Sequence, residues 1–329
     1  MNEELEILSH SAARLFADLV TPELLRRVDA GEWPHELWDA VAAAGFEGAE
    51  MTAFAATVTR IAGRFAAPIP LPETILAAAM LEGAGLSVPA GAMTIVAEPI
   101  AIDAAGSLSG TARRVPWARH VAHIAVICDG TEGATLALAE TARCQITAGQ
   151  NLAAEPRDDV CFDGATAVHS AGGVSSALLH EQAALLRAAQ IAGALEKILS
   201  MTVQYAGERR QFGRPIAKFQ AVQHHLAVLA GHTAAACAAL EAALASPGFL
   251  ANAAAKACAS EAAGEAAAIA HQVHGAIGFT AEHALHRHTK ALWAWREEYG
   301  NETYWNRRLG AEMAALGGAG LWPKIVGPD

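Results

Sequence analysis

Four neighbouring residues carry the most chemistry in this 329-residue chain: Arg209, Arg210, Gln211 and Phe212. A guanidinium is planar and presents paired N–H donors, the geometry that suits a phosphate. A phenyl ring beside it can pack against a nucleotide. Gln220, eleven residues after Arg209, offers both a donor and an acceptor to a ribose or a base. Glycine at 213 can take the positive φ of a turn, and Pro215 suits the first turn of a following helix.

The elements that position this group are helical by their spacing. Leu185, Ala188, Ala192, Leu195 and Leu199 recur at three- and four-residue intervals before it, and Val222, Leu226, Leu229, Ala236 and Leu240 continue after it. The cluster is therefore expected at a helix–helix junction. Helical sequence extends from about 175 to 315 in four long segments, broken near Gly213, Ser246-Pro247-Gly248 and Gly275–Gly278. Abundant alanine favours helix and lets helices approach closely.

Upstream the texture differs. Residues 1–92 read as short helices: a stripe of Ala12, Leu15, Phe16 and Leu19, then Leu24–Val28, then Leu37–Ala44 preceded by Pro34. Prolines at 68, 70 and 72 punctuate the end of this part. From 93 to 172 short apolar runs at 94–96, 121–128 and 134–138, with Asp-Gly pairs at 129–130 and 163–164, signal strands and hairpins. Gly172-Gly173 closes that segment.

Composition excludes several classes. A net charge of −11 argues against a nucleic-acid partner, which requires a basic face. No run of about 18 apolar residues predicts a membrane span, and the acidic Met1–Glu4 start lacks a signal-like apolar core. The five cysteines are scattered without a CxxC pair and read as small buried hydrophobes, implying a cytoplasmic location. The 14 histidines lack metal-ligand spacing such as HExxH, so structural or surface roles are expected and no metal.

Two blocks together resemble the acyl-CoA dehydrogenase family. Arg209, Gln211-Phe212-Gly213, Pro215-Ile216 and Phe219-Gln220 are similar to its R-x-Q-F-G-x-P-I-x-x-F-Q signature. Gln272-Val273-His274-Gly275-Ala276-Ile277-Gly278-Phe279-Thr280-Ala281-Glu282 is similar to Q-x-x-G-G-x-G-Y-T-x-E. The resemblance covers roughly residues 175–310 and the rest only loosely. It implies a mainly α fold with a shortened N-terminal helical domain (1–92), a middle antiparallel β domain (93–172) and a C-terminal four-helix bundle (173–329) that carries the FAD motifs. It implies FAD contacts from Arg209, Gln211, Phe212, Gln220, Gln272, Val273, Gly275, Ala276 and Asn301. It also implies α,β-dehydrogenation of an acyl-CoA thioester: a carboxylate removes the α-proton and FAD accepts the β-hydrogen as hydride.

The same comparison exposes departures. The family's base positions fall on Tyr299, or on Ala183 and Ala184, none of which is a carboxylate. Glu298 lies one residue off, a helical step of about 100°. A solvated acidic turn is the expected reading of Glu297, Glu298 and Glu302. The flavin-ring strand E-P-x-x-G-S-D is reduced to Glu98-Pro99, and Trp117 is followed by Ala-Arg instead of a hydroxyl residue. The chain is similar to the shorter, base-lacking subunits of α2β2 bacterial dehydrogenases acting on steroid side chains and rings. On that reading it supplies the ADP side of FAD, and a second, longer acyl-CoA dehydrogenase subunit supplies the base. The expected partners are that subunit, an acyl-CoA substrate and electron-transfer flavoprotein. The alternatives are a self-sufficient homomeric enzyme using Glu298, and a flavin-free structural or regulatory subunit.

Overall fold

The computed structural model describes residues 3–48, 53–130, 133–171, 175–280 and 282–326. The Gly172-Gly173 break and Ala281 of the second motif block lie outside them.

Five helices come first: α1 (Glu3–Leu19), α2 (Pro22–Asp29), α3 (His35–Ala43), α4 (Ala53–Arg64) and α5 (Leu71–Gly83). Thr21 caps α2, its hydroxyl accepting from the Leu24 N–H, with Pro22 at the start. Of the stripe foreseen in α1, Ala12 and Phe16 are buried, joined by Leu8, while Leu15 and Leu19 are only partly buried. α4 and α5 have no counterpart in the sequence reading. α5 is buried nearly all round, so it shows no amphipathic period to detect.

The β region follows: β1 (Met93–Ile102), β2 (Ser107–Pro116), β3 (His123–Gly130), β4 (Gly133–Glu140), β5 (Gln145–Thr147) and β6 (Arg157–Ala171). The sheet order is β2-β1-β3-β4-β6-β5, and β2 also pairs with β6, so five strands close on themselves. The expected purely antiparallel domain is corrected at one ladder, since β1 and β3 run parallel. The Asp-Gly pair at 129–130 ends β3 and leads into its hairpin partner β4. The pair at 163–164 makes no turn. It lies within β6 where the register against β2 slips, with Gly164 at φ +75°, a bulge that bends the strand to help close the barrel.

The C-terminal part comprises α6 (Ser176–Glu208), the two-residue strands β7 (Arg210–Gln211) and β8 (Arg214–Pro215), α7 (Gln220–Ala245), α8 (Phe249–His274), α9 (Leu285–Glu297) and α10 (Glu302–Val326). The predicted breaks near 213, 247 and 275 are present, and a further break at 298–301 separates α9 from α10. Pro215 is not in the first turn of α7. It belongs to a hairpin closed by Phe212 and Gly213, both at positive φ, and α7 begins five residues later. α7 is, by length and composition, apolar enough to cross a membrane, although polar residues such as His224, His225 and His232 interrupt its apolar run. Of the five cysteines, Cys128 alone is buried and the other four are partly exposed, which corrects the expectation of buried thiols.

α4 crosses α6 at two glycines. A Cβ on Gly63 would collide with the backbone of Gln190, and one on Gly193 with the backbone of Arg60 and Arg64. Backbone cannot swing aside as a side chain can, so this contact locks the N-terminal helices onto the bundle. Gly193→Ala should lower unfolding stability by about 1–3 kcal/mol, the usual cost of overpacking. A thermal melt unchanged within 1 °C would refute the crossing.

Candidate active site and nucleotide-binding end

Two places in the fold carry the residues of interest. The first is the turn after α9, where the base position falls. Glu298 is not in a solvated acidic turn. Its carboxylate receives Arg157 Nε at 2.8 Å and Nη2 at 3.0 Å, Arg187 Nη2 at 2.7 Å and Asn151 Nδ2 at 3.1 Å. Both arginines are buried. Arg187 continues to Glu73 on α5 at 2.6 Å, and Arg157 to Glu155 at 3.0 Å. Charges thus alternate along Glu73–Arg187–Glu298–Arg157–Glu155. Burial alone would raise the Glu298 carboxyl, but the Arg157 and Arg187 guanidinium groups outweigh it and hold the group at about 2. Of its two neighbours in the expected solvated turn, Glu297 is exposed and Glu302 pairs with Arg296.

The rest of that turn is fastened as firmly. Tyr299 has φ +55°, a left-handed conformation that a bulky residue adopts only when its surroundings impose it. Trp305 Nε1 donates to Tyr299 O at 2.9 Å. The Lys256 ammonium, fully buried, donates to Gly300 O at 2.7 Å, Arg296 O at 2.8 Å and Ser260 Oγ at 2.9 Å. Burial, with Arg187 adding to it, lowers this amine to about 7. The Tyr299 ring lies edge-on to His180 and under the Arg187 guanidinium. A cleft of about 390 Å³ between barrel and bundle opens beside this turn, lined among others by Glu98, Arg113, Arg114, His180 and Tyr299. Ala183 and Ala184, the other base positions, are buried. Neither family base position therefore presents a carboxylate to the cleft.

The second place is the end of the bundle where α6 meets α7 and α8 meets α9. Arg209 ends α6 and is exposed, with no ion pair among the described residues. Gln211, Gln220, Gln272 and Ala276 are exposed too, and Phe212 is 92% exposed. Gly275 has φ +65°, and a Cβ there would meet nothing within 4 Å, so its backbone is open to an incoming group. Tyr205 joins the two blocks: its hydroxyl donates to His274 O at 3.2 Å and its ring stacks on the imidazole at 4.4 Å. Two of the expected residues are also engaged within the chain. The Val273 side chain packs in the bundle core. Asn301 caps α10, its Oδ1 accepting the Tyr304 N–H while its Nδ2 donates to Glu297. The histidines here are structural: His274 Nδ1 donates to Ala270 O at 2.8 Å, and His271 bonds Thr289 at 2.9 Å.

An exposed guanidinium, amides, an unshielded phenyl ring and an open glycine backbone fit the ADP half of FAD. Among the described residues the ring half finds no such donor set. Trp117 is buried against Trp33 and His120, Ala118 is buried, and Arg119 is held by Asp158. Glu98 accepts the Arg113 N–H at 3.0 Å beside an irregularity in β1.

Sequence reasoning missed Arg157, Arg187, Glu73 and Lys256, because their partners are far along the chain. The available signals were the Lys256 and Arg187 positions, each a lone charge within an otherwise apolar, Ala-rich stretch. Removing the charge should leave Arg187 with Glu73 and Arg157 with Glu155 as their remaining carboxylate partners. Glu298→Gln is expected to cost about 1–3 kcal/mol of stability, the loss of charge-assisted contacts with neither guanidinium orphaned. In the wild type the low carboxyl pKa contributes stability above the ordinary pKa of 4.5, and that stability is lost as pH falls toward 2. Urea melts between pH 7 and 3 check both: a Gln variant as stable as wild type would show that Glu298 is not paired.

The C-terminal domain of acyl-CoA dehydrogenases matches residues 174–311. Acyl-CoA dehydrogenase IpdE2 of Mycolicibacterium smegmatis is 31% identical over 327 residues, covering 95% of this chain and 100% of that protein. Among solved structures, the Tcur3481–Tcur3483 steroid ACAD superposes with a TM-score of 0.86 at 26% identity, covering 95% of this chain and 99% of the other. The ChsE4–ChsE5 complex of Mycobacterium tuberculosis gives 0.85 at 25% identity, over 95% and 98%. Full-length identity, the fold and both motif blocks agree: the chain belongs to the acyl-CoA dehydrogenase family.

Proposed function

We propose that this chain is the ADP-holding subunit of a heteromeric, FAD-dependent acyl-CoA dehydrogenase whose catalytic base resides on a second, longer family member. The observation that carries this reading is the fate of Glu298. A carboxylate held at about 2 by two buried guanidinium groups is a poor proton acceptor at neutral pH, and Tyr299 stands where the family places its base. A homomeric enzyme using Glu298 is correspondingly disfavoured. The assembled Arg209–Gly275 end argues against a flavin-free subunit. The two structural neighbours described above are named as two-component assemblies, which supports a second acyl-CoA dehydrogenase chain as partner.

In this reading Arg209 binds the pyrophosphate, Gln220 and Gln272 orient the nucleotide, Phe212 shields one side of it, and Gly275 admits it close to the backbone. Bound FAD supplies the hydride acceptor for α,β-dehydrogenation of a CoA thioester. A steroid- or ring-derived acyl group is the proposed substrate, electron-transfer flavoprotein the electron acceptor, and the cytoplasm the location.

Co-expression with a longer family member should yield a yellow, active heteromer, and the chain alone should be colourless. Arg209→Ala should leave assembly intact and weaken FAD binding by roughly ten- to a hundredfold, the loss of one charge-assisted contact. FAD titrated into the stripped complexes reads this directly. Equal dissociation constants would favour a flavin-free structural subunit.

A further inference from the structure

We infer that Tyr205 is a positioning residue: it sets the distance between the Arg209 turn and the Gly275 turn, and so the affinity for the diphosphate of a dinucleotide. The inference rests on the nucleotide reading above.

The chain of contacts is continuous. The Arg209 N–H donates to Tyr205 O at 2.8 Å, so the arginine hangs directly from the tyrosine's helical turn. Arg209 O in turn accepts the Ile216 N–H at 2.8 Å, closing the hairpin that carries Phe212. On the other side, the Tyr205 hydroxyl donates to His274 O, the carbonyl at the joint between the end of α8 and the 3-10 turn Gly275–Phe279. The next residue is Gly275, whose N–H returns to His271 O. The imidazole under the tyrosine ring is itself braced: Nδ1 donates to Ala270 O, and His283 sits edge-on at 4.8 Å. His274 Nε2 is buried without a partner among the described residues, so the ring is held by packing and by Tyr205 on that side.

Tyr205 contributes little to holding the helices themselves. It is only half-buried, at the margin of a core in which Ala188, Ile191, Leu195 and Ile198 of α6 face Ala259, Ala263 and Ala266 of α8. Losing one hydroxyl at the rim should leave that packing intact while freeing the two turns to drift apart. A site that must grip one diphosphate from two turns responds steeply to such drift.

The test is a double-mutant cycle on the heteromer of this chain with its longer partner, stripped of flavin, with FAD as the probe. Tyr205→Phe keeps the stack and removes only the hydroxyl. It should weaken FAD about three- to tenfold, with assembly and melting temperature unchanged. In an Arg209→Ala background the same change should alter affinity less than twofold, because the group being positioned is gone. Wild-type affinity in Tyr205→Phe, or an equal factor in both backgrounds, overturns the inference. A loss of assembly or melting temperature parallel to the loss of affinity overturns it too, since that marks a structural role. Wild-type affinity in Arg209→Ala alone removes the nucleotide reading, and the inference with it.

Discussion

The alternating run Glu73–Arg187–Glu298–Arg157–Glu155 is the constraint on which the three parts of the molecule converge. Glu73 belongs to the N-terminal helices, Glu155 and Arg157 to the barrel, and Arg187 and Glu298 to the bundle. Glu73, Arg187 and Arg157 are buried and Glu298 and Glu155 nearly so, which is costly unless opposite charges and further hydrogen bonds compensate. Here Asn151 and Gln190 supply additional partners for Glu298 and Arg187, and Trp295 Nε1 donates to Glu155 at 3.0 Å. A network of this kind is sensitive to geometry, because displacing any of the three domains would strand a buried charge. It therefore specifies their relative placement more than it adds net stability.

That same network explains how a family scaffold can keep its shape with no carboxylate at position 299. The turn at 298–300 is held by the two arginines through Glu298, by Trp305 through Tyr299 O, and by Lys256 through Gly300 O. None of these fasteners requires a carboxylate at 299. Three independent anchors also suffice to keep Tyr299 in a left-handed conformation that a free chain would leave. The carboxylate that remains is consumed in structure, and its lowered pKa is the electrostatic signature of that role.

At the far end of the bundle the economy is different. The residues that suit a nucleotide are exposed and free of ion pairs among the described residues, while the support lies one layer beneath them in Tyr205, His274 and His283. Neutral histidines serve there as flat, hydrogen-bonding spacers, their pKa lowered chiefly by burial for His274 and His283. Exposed polar residues on the surface and ring contacts beneath them keep the joint between the helices away from water.

The sequence by itself determined what depends on near neighbours. The stripes of α1 and α6, the Gly213 turn, the two motif blocks and the lack of a carboxylate at 183, 184 and 299 all follow from spacings of a few residues. It could not determine what depends on packing. Glu298 reads locally as one of several acids at a turn, yet its fate is decided by arginines 141 and 111 positions away. The Asp-Gly pair at 163–164 reads as a hairpin but serves as a bulge, because β2 lies beside it. Val273 sits inside a nucleotide motif yet packs in the bundle core, and the two motif blocks, joined across 69 residues by the Tyr205–His274 bond, are neighbours because α6 packs on α8. Local preferences set which elements form. Only when they pack does each side chain acquire its dielectric surroundings and its partners, and those decide whether a charged or aromatic group grips a ligand or holds up the fold.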